Sequence, residues 1–141
     1  MLYARLLALF LLLNLLGCKN NDVEVLHKEI MDIHDEVMPK TGEIAYLYLA
    51  FRKKVETDST ISSVQKMELQ KQADDLEKAE DEMMVWMNDY IPPHKMKSSK
   101  NEDEMIDYLQ NQKKIISNIK VHTNASLASG KKWKEMLSIN N

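Results

Sequence analysis

The chain has 141 residues, 22 of them acidic and 19 basic, for a net charge of −3. That mildly acidic balance, with no stripe of Lys and Arg interleaved with aromatics, argues against nucleic acid as a partner. Three glycines and three prolines leave little material for hairpin turns, so the composition favours helices in one domain over a sheet.

The chain opens with "MLYARLLALFLLLNLLG", in which one cation, Arg5, precedes an apolar run from Leu6 to Leu16. A spanning helix needs about 20 apolar residues, so this shorter run reads as the core of an export signal. Cys18 follows directly and is the only cysteine, which rules out an intramolecular disulfide. Leu15, Gly17 and Cys18 resemble the lipobox of bacterial lipoproteins; Leu16 departs from the smaller or β-branched residue usual there. The resemblance implies cleavage before Cys18 and a diacylglyceryl group on its sulfur. Residues 1–17 are then a signal peptide, 18–21 a lipidated tether and 22–141 the helical domain. The expected location is the bacterial cell envelope, anchored to the outer or inner membrane and facing the periplasm or the surface.

Between Asn21 and Glu56 the apolar residues Val23, Leu26, Ile30, Ile33, Val37, Ile44, Tyr48, Phe51 and Val55 hold a helical phase. The spacing predicts one helix over about residues 22–57, kinked near Pro39, which lacks a donor and crowds the preceding turn. Asp58, Ser59 and Thr60 in "TDSTISS" offer caps for a second helix over about 60–91, with Val64, Leu69, Leu76, Met83, Met87 and Tyr90 on its apolar face. "IPPHKMKSSK" breaks that pattern and reads as a loop. Ser99 and Glu102 have capping-box spacing and open a third helix over about 100–138. Its face runs Met105, Leu109, Ile116, Ile119, Thr123, Ser126, Gly130, Trp133 and Leu137, bulky first and small in the middle. Short connections make the three helices antiparallel neighbours, so the expected fold is an all-α, elongated three-helix bundle. Folding about residues 58 and 59 sets His27 level with Tyr90 and His34 level with Met83. Folding about residues 95 and 96 sets Met87 level with Glu104.

"HDEVMPK" at 34–40, with Gly42 and Glu43, and the group Met83, Met84, Trp86 and Met87 extend the lipobox match over most of the chain. Together they resemble a set of small helical lipoproteins of Bacteroidetes-type bacteria, often labelled "viral A-type inclusion protein". The label implies long Glu- and Lys-rich helices of coiled-coil character and no particular activity.

The sequence holds no Gly-rich phosphate loop, no heme-attachment motif and no Ser-His-Asp arrangement that these helices are expected to assemble. The expected role is therefore a non-enzymatic binding or scaffolding module, without a required cofactor, acting on an envelope protein that the sequence does not identify. The alternative rests on "HKEIMDIHDEVM", where His27, Met31, His34 and Met38 flank the core face at steps of four, three and four. His27 and His34 lie about 10.5 Å apart along the axis, so a metal function requires two half-sites. His27 and Met31 would draw on Met87, and His34 and Met38 on Met83 or Met84. Imidazole and thioether ligands suit copper(I), whereas the plainer reading has methionine filling gaps at the core edge. His122 falls outside this cluster. "DST" at 58–60 resembles O-glycosylation sites of Bacteroidetes-type envelopes, with Ser59 as acceptor, although a helix cap accounts for the same residues. Lys95 and Lys97 form a small basic cluster suited to anionic headgroups or simply to solvent.

Overall fold

A computed structural model describes residues 19–137. These form α1 (Lys19–Val37), a 3₁₀ turn (Met38–Lys40), α2 (Thr41–Thr57), α3 (Ser63–Asp89), a single turn α4 (Pro93–Met96) and α5 (Glu102–Met136). The fold is all-α, and no strand occurs among the described residues. α1 and α2 form one interrupted rod, α1 packing on α5 and α2 on α3, while α3 and α5 pack on each other.

The interruption falls where Pro39 removes a donor. The chain tightens there to three-residue closure, with the Thr41 backbone N–H and its hydroxyl both directed at the Met38 carbonyl, the hydroxyl at 2.8 Å. The apolar phase survives the joint: Val37 precedes it and Ile44, Leu47 and Phe51 follow it, all buried. Gly42 is not demanded by packing, because a Cβ there would meet nothing within 4 Å.

Three boundaries differ from the sequence expectation, each through competition between neighbouring caps. Asp58 closes α2 instead of opening α3: its carboxylate accepts from the Thr60 amide at 2.8 Å, the Thr60 hydroxyl at 2.6 Å and the Lys54 ammonium at 2.9 Å. These bonds, those from Thr60 foremost, hold the Asp58 carboxyl well below the usual carboxylate range. Ser62 caps α3 in a reciprocal box with Gln65, so that helix starts three residues later than expected. Asn101 and Glu104 form the box that opens α5, while Ser99 instead turns its hydroxyl to the Met96 carbonyl at 3.3 Å. The stretch read as loop also contains α4, preset by Pro93, which buries Pro93 and Met96.

Two apolar clusters form the core. One joins Val23, Ile30 and Val37 of the first rod to Met83, Trp86, Met96, Leu109 and Ile116; the other joins Ile44, Leu47 and Phe51 to Leu69, Ala73, Leu76 and Leu127. In α3 the expected face is partly wrong. Val64 and Met87 are exposed, and Ala73, Ala79 and Trp86 are buried with Leu69, Leu76 and Met83. In α5 Met105, Leu109, Ile116, Ile119, Thr123, Ser126 and Gly130 are all buried, as their spacing predicts. Gly130 lets three helices approach, since a Cβ there would lie 3.1 Å from one Leu76 methyl and 3.2 Å from a Leu47 methyl.

Candidate functional site

The facing edges of α3 and α5 carry a polar ladder. The Ser129 hydroxyl donates to Gln72 at 2.6 Å, the Ser126 hydroxyl to Asp75 at 2.5 Å and the Trp86 indole N–H to Gln112 at 2.9 Å. Between these rungs His122 spans two carboxylates of α3, with Nδ1 2.8 Å from Glu82 and Nε2 3.2 Å from Asp75. A neutral imidazole donates from one nitrogen only, so both contacts are satisfied together only by the imidazolium. Burial of the ring opposes that charge, but the hydrogen bonds to Glu82 and Asp75 outweigh it and raise the His122 pKa above its ordinary value. Burial acts likewise against ionised Asp75, yet the Ser126 hydroxyl and His122 keep its carboxyl below the usual value.

The helices thus bring a serine, a histidine and an aspartate together, which the sequence reading did not expect. Their connectivity is not that of a nucleophile: Ser126 donates to Asp75 instead of His122, and its side chain is enclosed. The serine hydrogen bond runs to the Asp75 carboxylate and not to the imidazole, so the cluster ties α3 to α5.

Next to this ladder the same two helices border an open groove of about 780 Å³. Trp86 and Ile119 form its floor and are nearly buried, whereas Val85 and Ile115 stand exposed at its sides. Asp81, Glu82 and Asp89 line the α3 side. The α5 side adds the neutral amides Gln112 and Asn118, with His122.

Aromatic and imidazole rings gather at the pole where α1 begins. His27 Nδ1 lies 2.7 Å from the Tyr90 hydroxyl, and the two rings stack with centroids 6.0 Å apart. Tyr90 stacks in turn on Trp86 at 4.9 Å and Tyr108 at 6.3 Å. Burial, with a smaller contribution from Tyr108, pushes the Tyr90 phenol up to about 12. The Tyr108 hydroxyl accepts the Ile91 N–H at 2.8 Å, fixing the chain as it leaves α3.

The expected pairing of His27 with Tyr90 therefore occurs. His34 meets the Trp86 ring at 6.0 Å, and its Nδ1 lies 2.8 Å from its neighbour Asp35. The second fold is displaced: Trp86 reaches Gln112 and Tyr90 reaches Tyr108, about two helical turns from the expected register of Met87 with Glu104. α4 and the turn after it lengthen that connection.

Of the residues considered for copper(I), His27, Met31, His34 and Met38 are half-buried, Met83 is fully enclosed, and Met84 and Met87 are exposed. Met38 packs against the Val23–Trp86 cluster. No three His, Cys, Asp or Glu side chains among the described residues converge as metal ligands. Ser59 is exposed in the turn between α2 and α3, and Lys95 and Lys97 are exposed around α4. Cys18 and the export signal lie outside the described residues. No helix among the described residues is long and apolar enough to cross a membrane. No family model, curated protein or solved structure matches the chain.

Proposed function

We propose that the chain is a lipid-anchored, non-enzymatic binding module of the bacterial cell envelope, tethered through Cys18 and engaging a partner protein through the α3–α5 groove. The groove carries the reading. It leaves Val85 and Ile115 exposed beside the nearly buried Trp86 and Ile119, an apolar trough with a polar rim of the kind recognition surfaces use. The export-signal pattern and the lipobox at Leu15, Gly17 and Cys18 support the location, as does the likeness to small helical lipoproteins. The enclosed, carboxylate-bound Ser126 supports a role without catalysis.

A photo-crosslinking residue placed at Ile115 in native envelopes tests the reading, with Met67 as the comparison because it is exposed but does not line the groove. Discrete adducts from position 115 and none from 67 are expected. Equal labelling from both positions would remove the groove as the binding surface.

A further inference from the structure

The occupant of the groove is readable from its charge and its length, an inference that rests on the binding-module reading above. Asp81, Val85 and Asp89 follow one another at steps of four, so they share one edge of α3, with an exposed apolar side chain between two carboxylates. Eight residues place those carboxylates about 12 Å apart along the axis. Glu82, by contrast, is paired at the groove with His122 at 2.8 Å and with the exposed Lys78 at 3.8 Å. Asp89 accepts a neutral amide hydrogen bond from Asn88 at 3.0 Å, which leaves its charge uncompensated by that contact. The facing wall contributes Ile115 and Ile119 with two amides and His122, which is paired with Glu82, and presents no acidic side chain to the groove. The carboxylates therefore lie along one edge of an apolar trough, and its two cations, Lys78 and His122, are both paired with Glu82, leaving Asp81 and Asp89 as the unbalanced charges.

The trough runs from Lys78 to Asp89 on α3 and from Gln112 to His122 on α5, about 15 Å or three helical turns. Two helices lying side by side present such a trough to a further helix, whose apolar residues at i, i+3, i+4 and i+7 would meet Val85, Trp86, Ile115 and Ile119. From this geometry we propose that the groove binds a cationic amphipathic α-helix of a partner protein, with Lys or Arg spaced two turns apart against Asp81 and Asp89. The apolar floor supplies the attraction, and the one-sided acidic edge sets the orientation of the bound helix.

The test uses the full chain in zwitterionic nanodiscs, with empty discs as reference. The probe is a labelled peptide of about 18 residues, five turns, with leucine on one face and lysine on its flanks. Its twin carries glutamate in place of lysine. Fluorescence anisotropy should show binding of the lysine peptide above the empty-disc level and none of the glutamate twin. The double variant Asp81→Lys, Asp89→Lys should weaken the lysine peptide about tenfold or more, since two attractions become repulsions. The variant Ile115→Glu should weaken it similarly through the floor. All three positions are exposed, and circular dichroism establishes that the variants stay folded. Binding of the twin as tight as that of the lysine peptide, or a double variant that binds unchanged, overturns the cationic helix; the module reading survives if crosslinks at position 115 persist. Crosslinking of the chain to itself through position 115 would assign the groove to a second copy and likewise overturn the proposal. Failure of both peptides together with absence of any crosslink overturns the proposal and the module reading at once.

Discussion

The Tyr90 hydroxyl and the His27 ring, 63 positions apart in sequence, meet at 2.7 Å and stack, locking the start of the first rod to the end of α3. With its phenol pushed up to about 12, Tyr90 keeps its hydroxyl proton across the ordinary pH range, and the direction of its hydrogen bond with His27 Nδ1 follows the imidazole tautomer. Tyr90→Phe keeps the stacking and removes the hydrogen bond, so it should cost about 0.5–1.5 kcal/mol in chemical denaturation. A loss beyond about 3 kcal/mol would mean the hydroxyl has a second task.

His122 should make the stability of the bundle depend on pH. Its folded pKa is raised, so its contribution is complete below the unfolded value of about 6.5 and disappears as pH rises through the folded value. Asp75 works in the opposite sense: its lowered pKa makes its contribution complete above about 3.8 and lost in stronger acid. The clamp is therefore strongest in the mildly acidic range between those values. Thermal unfolding of the parent and of His122→Gln should differ most near pH 5 and least near pH 8.5, values chosen to lie on either side of about 6.5. A gap that grows with pH would contradict this assignment of charge.

Two helical glycines should respond oppositely to substitution. At Gly42 the space is open, and alanine should stabilise by up to about 1 kcal/mol through reduced backbone freedom. At Gly130 a Cβ already presses on Leu76 and Leu47, and the branched side chain of valine should destabilise by about 1–3 kcal/mol. Denaturation midpoints that move the same way in both variants would contradict the close approach of α2, α3 and α5.

In the core, Leu109→Ala should cost about 2–5 kcal/mol, because Leu109 has no exposed surface. Leu26→Ala should cost less, since Leu26 only flanks the cluster.

The anchor and the remaining modification are tested together on native protein. Cys18→Ala should abolish labelling by a fatty-acid analogue and leave the precursor uncleaved. An intact mass equal to polypeptide plus lipid would remove Ser59 as a glycosylation site. Copper(I) titration against a competing chelator should give an affinity weaker than about micromolar, because Met83 is enclosed and His27 is held by Tyr90. Tighter binding that is lost in a His27→Ala, His34→Ala double variant would restore the half-sites.

The helical fold was legible because apolar spacing is a local signal. Val23, Ile30, Val37, Ile44 and Phe51 announce their burial by period alone, and the small residues Thr123, Ser126 and Gly130 fit the same phase in α5. Alanine and tryptophan obscured α3: Ala73 and Ala79 carry too little apolar surface to reveal the face, and Trp86 was overlooked beside Met87. Caps were ambiguous wherever two polar residues at equivalent spacing competed, as Ser99 did with Asn101. The meeting of Asp75, Glu82, His122 and Ser126 and the groove beside them depend on the register between α3 and α5. That register was set by how Pro93 turns the connection into α4, a tertiary outcome with no periodic trace. His27 with Tyr90 was legible because the connection between α2 and α3 is short.

The turn at Met38–Lys40 also divides the first rod between the two apolar clusters, Val37 belonging to one and Ile44 to the other. Each half of the rod therefore has its own hydrophobic seat, α1 on α5 and α2 on α3. A segment with a separate seat and a break in its helical ladder can open as a cooperative unit while the rest stays closed. Amide exchange should accordingly fall into two regimes along this single stretch of chain, α1 exchanging through a detachment that leaves Ile44, Leu47 and Phe51 seated. A pull on the N-terminus would then be absorbed by peeling α1, and the hairpin of α2 and α3 would be spared the strain.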